Sequence, residues 1–420
     1  MYKRILTVII DRPFLKGGLF SIFSFFNQGI SFLLLIILAN YITPNEYGSL
    51  SIFNTLVMFL GYFIALSTQG YVSVSYFRKE AREFNKDFST ILCISLCMLF
   101  VLFVCTIIGG EKLAIWLVLP QKYIWLAIFI SFFGFLFNLN LDLIRIKEQV
   151  LKYGFYSCSF ALFNCILTLV LVILYMMNWH GRVYAYFFTN IFFGIYALFY
   201  FFKERLFTFD LDWKRTKNIV LWGLPLIPHL ATTWIKQGCD RYIINYNYSL
   251  EEVGLFSFAL NLANIITMVG FAFNQTNSVS IYKILGDREI ANNRKKELLK
   301  RLRNNMIITY LILAVIISII CIIAIPQLLP KYQDSIKYFI PLSIYGFFVC
   351  IYLVYCNYLF FFGKNKIIMY ITFGTSLLHL FSSLLFTKYS LVYTAIIYIL
   401  TQLIITTFIS FYGMKTLKRL

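Results

Sequence analysis

Long apolar runs bounded by charges or turn residues recur along the whole chain. They fall at about 17–41, 49–74, 89–109, 121–142, 154–177, 183–202, 221–247, 253–277, 305–327, 338–361, 367–387 and 390–412. A helix needs about 20 apolar residues to cross a bilayer, so each run is long enough to span. The pattern predicts an all-α polytopic membrane protein of about 12 transmembrane helices. An even count places both termini on one side.

Composition agrees and removes alternatives. Of 420 residues, 60% are hydrophobic and only 13% charged, with 46 Phe, 30 Tyr and 6 Trp. A soluble domain is about a quarter charged, so a soluble enzyme is excluded, and the spans leave no room for a sizeable extramembrane domain. The nine cysteines all fall inside apolar runs without CxxC spacing, and read as small lipid-buried hydrophobes. The basic start, Met1–Lys16, leads into a long apolar run with no small-residue cleavage site; it is expected to precede a first span and not to form a cleaved signal peptide.

Charge sets the orientation. Lys and Arg number 37 against 18 Asp and Glu, a net of +19. In a soluble domain that excess would suggest nucleic acid, whereas in a polytopic protein cytoplasmic loops are basic. Assigning loops alternately places 29 cations on one face, including Arg78, Lys79, Arg82 and Lys86 after the second span and eight between Lys283 and Arg303. Six lie on the other face, among them Arg182, and two, Lys236 and Arg241, lie within the seventh span. The split predicts cytoplasmic termini and needs no nucleic acid partner. The segments at about 203–220 and 278–304 are amphipathic and basic, expected as helical extensions against anionic membrane lipids or as solvated positive-inside loops.

The chain also repeats. An offset of 206 residues pairs Gly17 with Gly223, Glu46 with Glu252, Gly48 with Gly254 and Ser51 with Ser257, aligning ITPNEYGSLSIFNTL (42–56) with YSLEEVGLFSFALNL (248–262). Two six-span halves in parallel orientation follow, residues 1–205 and 206–420, with a symmetry axis along the membrane normal and a central cavity between the lobes.

At these residues the chain resembles a known family. The turn TPNEYG (43–48), the segment DRYIINYNYSLEEVGLFSFALNLANII (240–266), GLPLIPH (223–229) and FFGKNKI (361–367) are similar to the polysaccharide-transporter branch of the multidrug/oligosaccharidyl-lipid/polysaccharide exporter superfamily, and within it to the Wzx-type O-antigen flippase. The resemblance implies two six-helix lobes in a bacterial inner membrane. It also implies an undecaprenyl-diphosphate-linked oligosaccharide moved from the cytoplasmic to the periplasmic leaflet, alongside a polysaccharide polymerase and glycosyltransferases.

An ionisable residue inside a membrane is a functional candidate by default. The seventh span holds His229, Lys236, Asp240 and Arg241. On one helix Lys236 and Asp240 are four apart and can neutralise each other. Arg241 is then the unpaired cation, its planar fork suited to the lipid diphosphate; the competing reading is an interfacial ion pair or snorkelling anchor. Pro225 and Pro228 remove intrahelical bonds and predict a hinge, unless they fill the first turn of a helix that starts later. Gln28 and Ser24 on span 1, Asn261 and Asn264 on span 8, and Arg78 at the end of span 2 complete the candidate substrate site, with Asn54 and Ser31 on the same equivalent spans. Amides and hydroxyls beside aromatics suit sugars, although they also serve as interhelical glue. Asn138, Asn140, Asp142 and His379 read as packing polar groups.

Nucleotide-binding, HExxH and GxSxG motifs are missing, and His180, His229 and His379 sit on different spans. No cofactor, metal site or enzyme activity is expected. Movement would draw on an ion gradient, with Asp240 as the first candidate carboxylate, or on the substrate gradient. An ion-coupled multidrug exporter of the same superfamily and a polytopic polysaccharide polymerase are the competing readings. The first would want an acidic cavity, and the second large extracytoplasmic loops.

Overall fold

The computed structural model describes residues 13–418 apart from 209, 211, 225, 226 and 288. Among the described residues there is no strand. Helices α1 (Pro13–Tyr41), α2 (Pro44–Ala65), α3 (Gln69–Arg78), α4 (Ala81–Leu117), α5 (Gln121–Ile146), α6 (Val150–Leu169) and α7 (Asn178–Lys203) come first. Helices α8 (Trp213–Gly223), α9 (Ile227–Gln237), α10 (Cys239–Asn247), α11 (Leu250–Gly286), α12 (Asn292–Leu328), α13 (Ile336–Phe361), α14 (Asn365–Phe386) and α15 (Leu391–Lys418) follow.

Eleven stretches among the described residues are long and apolar enough to cross a membrane, one fewer than the sequence pattern predicts. The missing one is the seventh. Its 221–247 run is divided among α8, α9 and α10: α8 ends at Gly223, and α9 gives way to α10 at Gly238. Pro228 lies in the first turn of α9, where a missing N–H costs nothing, and Pro225 lies outside the described residues. Prolines also occur inside helices at Pro326 and Pro341.

The chain forms two compact units. One comprises the residues up to Ile42 together with Ile52–Ala231, the other Thr43–Ser51 together with the chain from Thr232. In the first, Phe88, Phe132, Leu139, Phe201 and Ile219 make a buried core; in the second, Ile266, Tyr310, Val354 and Tyr358 do so. Helices α4 and α12, third in each expected half, match in length (37 residues) and mean hydropathy (3.1), and both bury little of their apolar stretch. At 1.5 Å per residue each is about 55 Å long, longer than the roughly 30 Å hydrocarbon core.

The sequence repeat corresponds to a structural device in the second unit. Thr43 and Glu46 form a capping box at the start of α2, the Thr43 N–H donating to Glu46 Oε2 at 2.8 Å and the Glu46 N–H to Thr43 Oγ1 at 3.3 Å. At the start of α11 the equivalent Ser249 Oγ accepts the Glu252 N–H at 3.3 Å. The two helices then cross at Gly48 and Gly254. A methyl on Gly48 would collide with the Leu250 carbonyl oxygen, and one on Gly254 with that of Pro44. Tyr47, beside the crossing, meets Phe258 and Tyr332 in T-shaped contacts and accepts a 2.6 Å hydrogen bond from Asn261 Nδ2.

Candidate functional site

Polar side chains gather at two places, one in each unit. In the first unit, α1, α2, α5, α6 and α7 surround a cavity of about 660 Å³ whose lining includes Asn27, Asn54, Asn138, Asn164, Asn190 and Arg182. Helical spacing explains the gathering: Arg182, Tyr186 and Asn190 recur every four residues on one face of α7. Gly134 of α5 leaves the space that Asn190 fills, since a Cβ there would lie 2.9 Å from Asn190 Oδ1. Asn54 sits ten residues into α2, about 15 Å along its axis, well within a membrane-spanning stretch.

Arg182 is braced from α6. Its Nη1 donates to Thr168 Oγ1 at 2.8 Å and to Asn164 Oδ1, and its guanidinium lies 5.6 Å from the centre of the Tyr186 ring. Immediately after Thr168 the helix widens into a π-turn, Val170–Leu174, a form often found at functional sites. Gly181 packs against Leu171 there, which seats the start of α7. The Asn27 side-chain oxygen is buried with no hydrogen-bond partner, an uncommon condition for a polar atom.

In the second unit the centre is Asp240. Its Oδ2 lies 2.8 Å from His379 Nε2, and His379 Nδ1 is 3.2 Å from Thr401 Oγ1; all three residues are buried. Tyr398 lies edge-on to His379 at 4.7 Å and donates its hydroxyl to the Lys236 carbonyl. The expected Lys236–Asp240 pairing is therefore not formed. The division at Gly238 separates the two residues into different helices, and His379 of α14 takes the carboxylate. Lys236 instead lines a smaller cavity of about 160 Å³ with Thr232, Gln237 and Gln402.

Arg241 lies on α10, half-buried, its Nε donating to Ser257 Oγ at 3.0 Å and its Nη1 to the Gln237 carbonyl. Both acceptors are neutral, so these bonds hold the fork without cancelling its charge. His229 is in the first turn of α9, and its side chain is outside the described set. Gln28 Nε2 donates to Ser24 Oγ at 3.1 Å, while the neighbouring Asn27 and Ser31 reach the first cavity. Asn264 is half-buried on α11, and Arg78 is exposed at the end of α3.

The sequence pattern points to Asn54, Ser31 and Asp240 but gives no role to Asn27, Asn164 and Asn190, and presents Arg182 only as an outer-face cation. The available signal was five asparagines inside apolar runs, together with Arg182, Tyr186 and Asn190 at helical spacing.

Residues 15–279 match the family described as "Polysaccharide biosynthesis protein", and the chain belongs to it. The family lies in the polysaccharide-transporter branch of the multidrug/oligosaccharidyl-lipid/polysaccharide exporter superfamily. Two Haemophilus influenzae proteins are similar over most of their length. "Lsg locus putative protein 1" is 24% identical across 81% of this chain and 82% of its own, and an "Uncharacterized membrane protein" is 23% identical across 84% of each. The fold resembles that of lipid II flippase MurJ in an inward closed conformation (TM-score 0.73, 15% identity, 96% of this chain and 89% of that one). It also resembles an inward-facing multidrug resistance MATE transporter (TM-score 0.72, 13% identity, 93% and 95%). With eleven apolar spans and this family membership, the chain is a multi-pass membrane protein.

Proposed function

We propose that the protein is a flippase of the Wzx type, carrying an undecaprenyl-diphosphate-linked oligosaccharide from the cytoplasmic to the periplasmic leaflet of a bacterial inner membrane by alternating access. The observation that supports this reading most is the cavity of the first unit. Hydrogen-bonding amides grouped at membrane depth are costly unless matched, and sugar hydroxyls are donors and acceptors of the same kind. Family membership and a fold shared with a lipid-linked-precursor flippase point the same way. In this reading Arg241 contacts the diphosphate, and the termini and the basic loops face the cytoplasm.

Deleting the gene tests the proposal in cells. The expected outcome is loss of surface polysaccharide with accumulation of the lipid-linked repeat unit, both restored by the wild-type chain. Unchanged surface polysaccharide, or a deletion whose only effect is altered drug susceptibility, would overturn it in favour of the exporter reading.

A further inference from the structure

The cavity of the first unit combines four properties. Its lining carries one guanidinium and no Asp or Glu side chain. That guanidinium is held from α6 by Thr168 and Asn164, which fix its plane. Five asparagine side chains line the cavity, and one buried acceptor, Asn27 Oδ1, has no partner. Finally, Phe137 and Phe160, stacked with ring centres 4.5 Å apart, form part of the wall.

Each property selects for a feature of the occupant. A cation held in a medium of low dielectric attracts an anionic group strongly, and a fixed guanidinium fork matches a carboxylate. Asparagines offer a donor and an acceptor side by side, which suits neighbouring hydroxyls, and the unpartnered Asn27 oxygen asks for a hydroxyl donor. Aromatic faces take the C–H face of a sugar ring. The volume lies within the range of small-ligand sites, about 300–1,000 Å³.

We infer that this cavity is a binding site for an acidic sugar, with the sugar carboxylate at Arg182 and the ring hydroxyls on the surrounding asparagines. The inference rests on the reading of the protein as a carrier of lipid-linked glycan and deepens it. It assigns the transported unit a uronic-acid-like residue, recognised at a place separate from Arg241.

The test uses the full-length protein in proteoliposomes and two lipid-linked trisaccharides that differ only in one residue, glucuronic acid or its carboxyl-reduced glucose counterpart. Wild type is expected to move the acidic carrier about tenfold faster. Arg182→Gln should abolish that preference, slowing the acidic carrier about tenfold more than the neutral one. Arg182→Lys, which keeps the charge in case the Gln variant fails to fold, should retain part of the preference. Equal transport of both carriers by wild type, or an equal loss on both in a folded Arg182→Gln protein, would overturn the site.

Failure of the flippase reading is read separately. If wild type moves neither carrier, binding of the free trisaccharides to the purified protein decides the matter. Saturable binding of the glucuronic acid form, weakened about tenfold by Arg182→Gln, supports the site. No binding, or equal binding of the neutral form, overturns it. Inorganic diphosphate is the third probe: diphosphate binding that Arg182→Gln abolishes, without binding of the acidic sugar, would reassign Arg182 to the carrier's phosphates and also overturn the proposal.

Discussion

Gly48 and Gly254 each pack on a carbonyl of the other's helix, Gly48 on Leu250 and Gly254 on Pro44. The 206-residue offset carries one contact into the other, Gly48 onto Gly254 and Pro44 onto Leu250, so the same interaction occurs twice about a local twofold axis. Gly254 and Gly48 are also close through their backbones, an ideal Cβ on Gly254 lying 3.0 Å from the Gly48 nitrogen. The internal repeat is thus a contact as well as a pattern, and the two capped helix starts are what it conserves in geometry.

That contact yields the first prediction. Gly48→Ala or Gly254→Ala places a methyl where a carbonyl stands, and overpacking of this kind costs about 1–3 kcal/mol. Each variant should melt several degrees below wild type in detergent. Because each methyl pushes the same two helices apart, the double variant should lose less than the sum of the singles. Unchanged melting in both single variants would show that the helices do not approach this closely.

The buried Asp240–His379 pair gives a second. Removing one member of a buried pair leaves its partner without compensation, a loss of about 3–5 kcal/mol. Asp240→Ala should therefore be strongly destabilising, while Asp240→Asn, which can still accept from His379, should lose much less. Thermal melting of the two variants, with His379→Ala completing a double-mutant cycle, measures the coupling; an additive cycle would contradict the pairing.

A third concerns the charged cluster at the start of α4. Lys86 sits 3.1 Å from Glu83 and 2.6 Å from Asp210. Hydrogen bonding to Lys86 holds both carboxyls below their ordinary range, and the two carboxylates raise the Lys86 ammonium above its own. Depressed carboxyls contribute stability that is present above their unfolded values, near 4.5 and 3.8, and lost as pH falls through the folded ones. The melting difference between wild type and Lys86→Ala should be constant near neutral pH and close once the medium is more acidic than those values. A gap that persists in strong acid would sink this account.

Arg241 supplies a fourth. Arg241→Ala should abolish surface polysaccharide in complementation while the protein still reaches the membrane, and Arg241→Lys should restore little, since a point charge does not reproduce the fork held by Ser257 and Gln237. Normal polysaccharide with Arg241→Ala would remove it from the diphosphate site.

Much of the fold was legible because membrane spans advertise themselves: length and apolarity mark eleven of them. The seventh run is divided at Gly238, a break that an apolar average over the run conceals. The candidate site was less legible. Asp240 stood out as an intramembrane charge, yet its partner His379 lies 139 residues away, and local spacing offered Lys236 instead. Arg182 was masked by its position near a span end, where a cation reads as an orienting charge. Only the packing of α6 against α7 shows it turned toward asparagines. Ser67 is similar: it and Leu66 take left-handed backbone angles (φ 57° and 43°) where α2 gives way to α3, in a segment with no proline to announce the break.

The most direct measurement of the central claim is transbilayer movement itself. Purified protein in liposomes carrying a fluorescent undecaprenyl-diphosphate oligosaccharide in both leaflets should bring the inner pool within reach of an external glycan-oxidising enzyme. The account predicts near-complete accessibility with wild type and about half with Arg241→Ala or empty liposomes. Accessibility that stays at half with folded wild-type protein would contradict it.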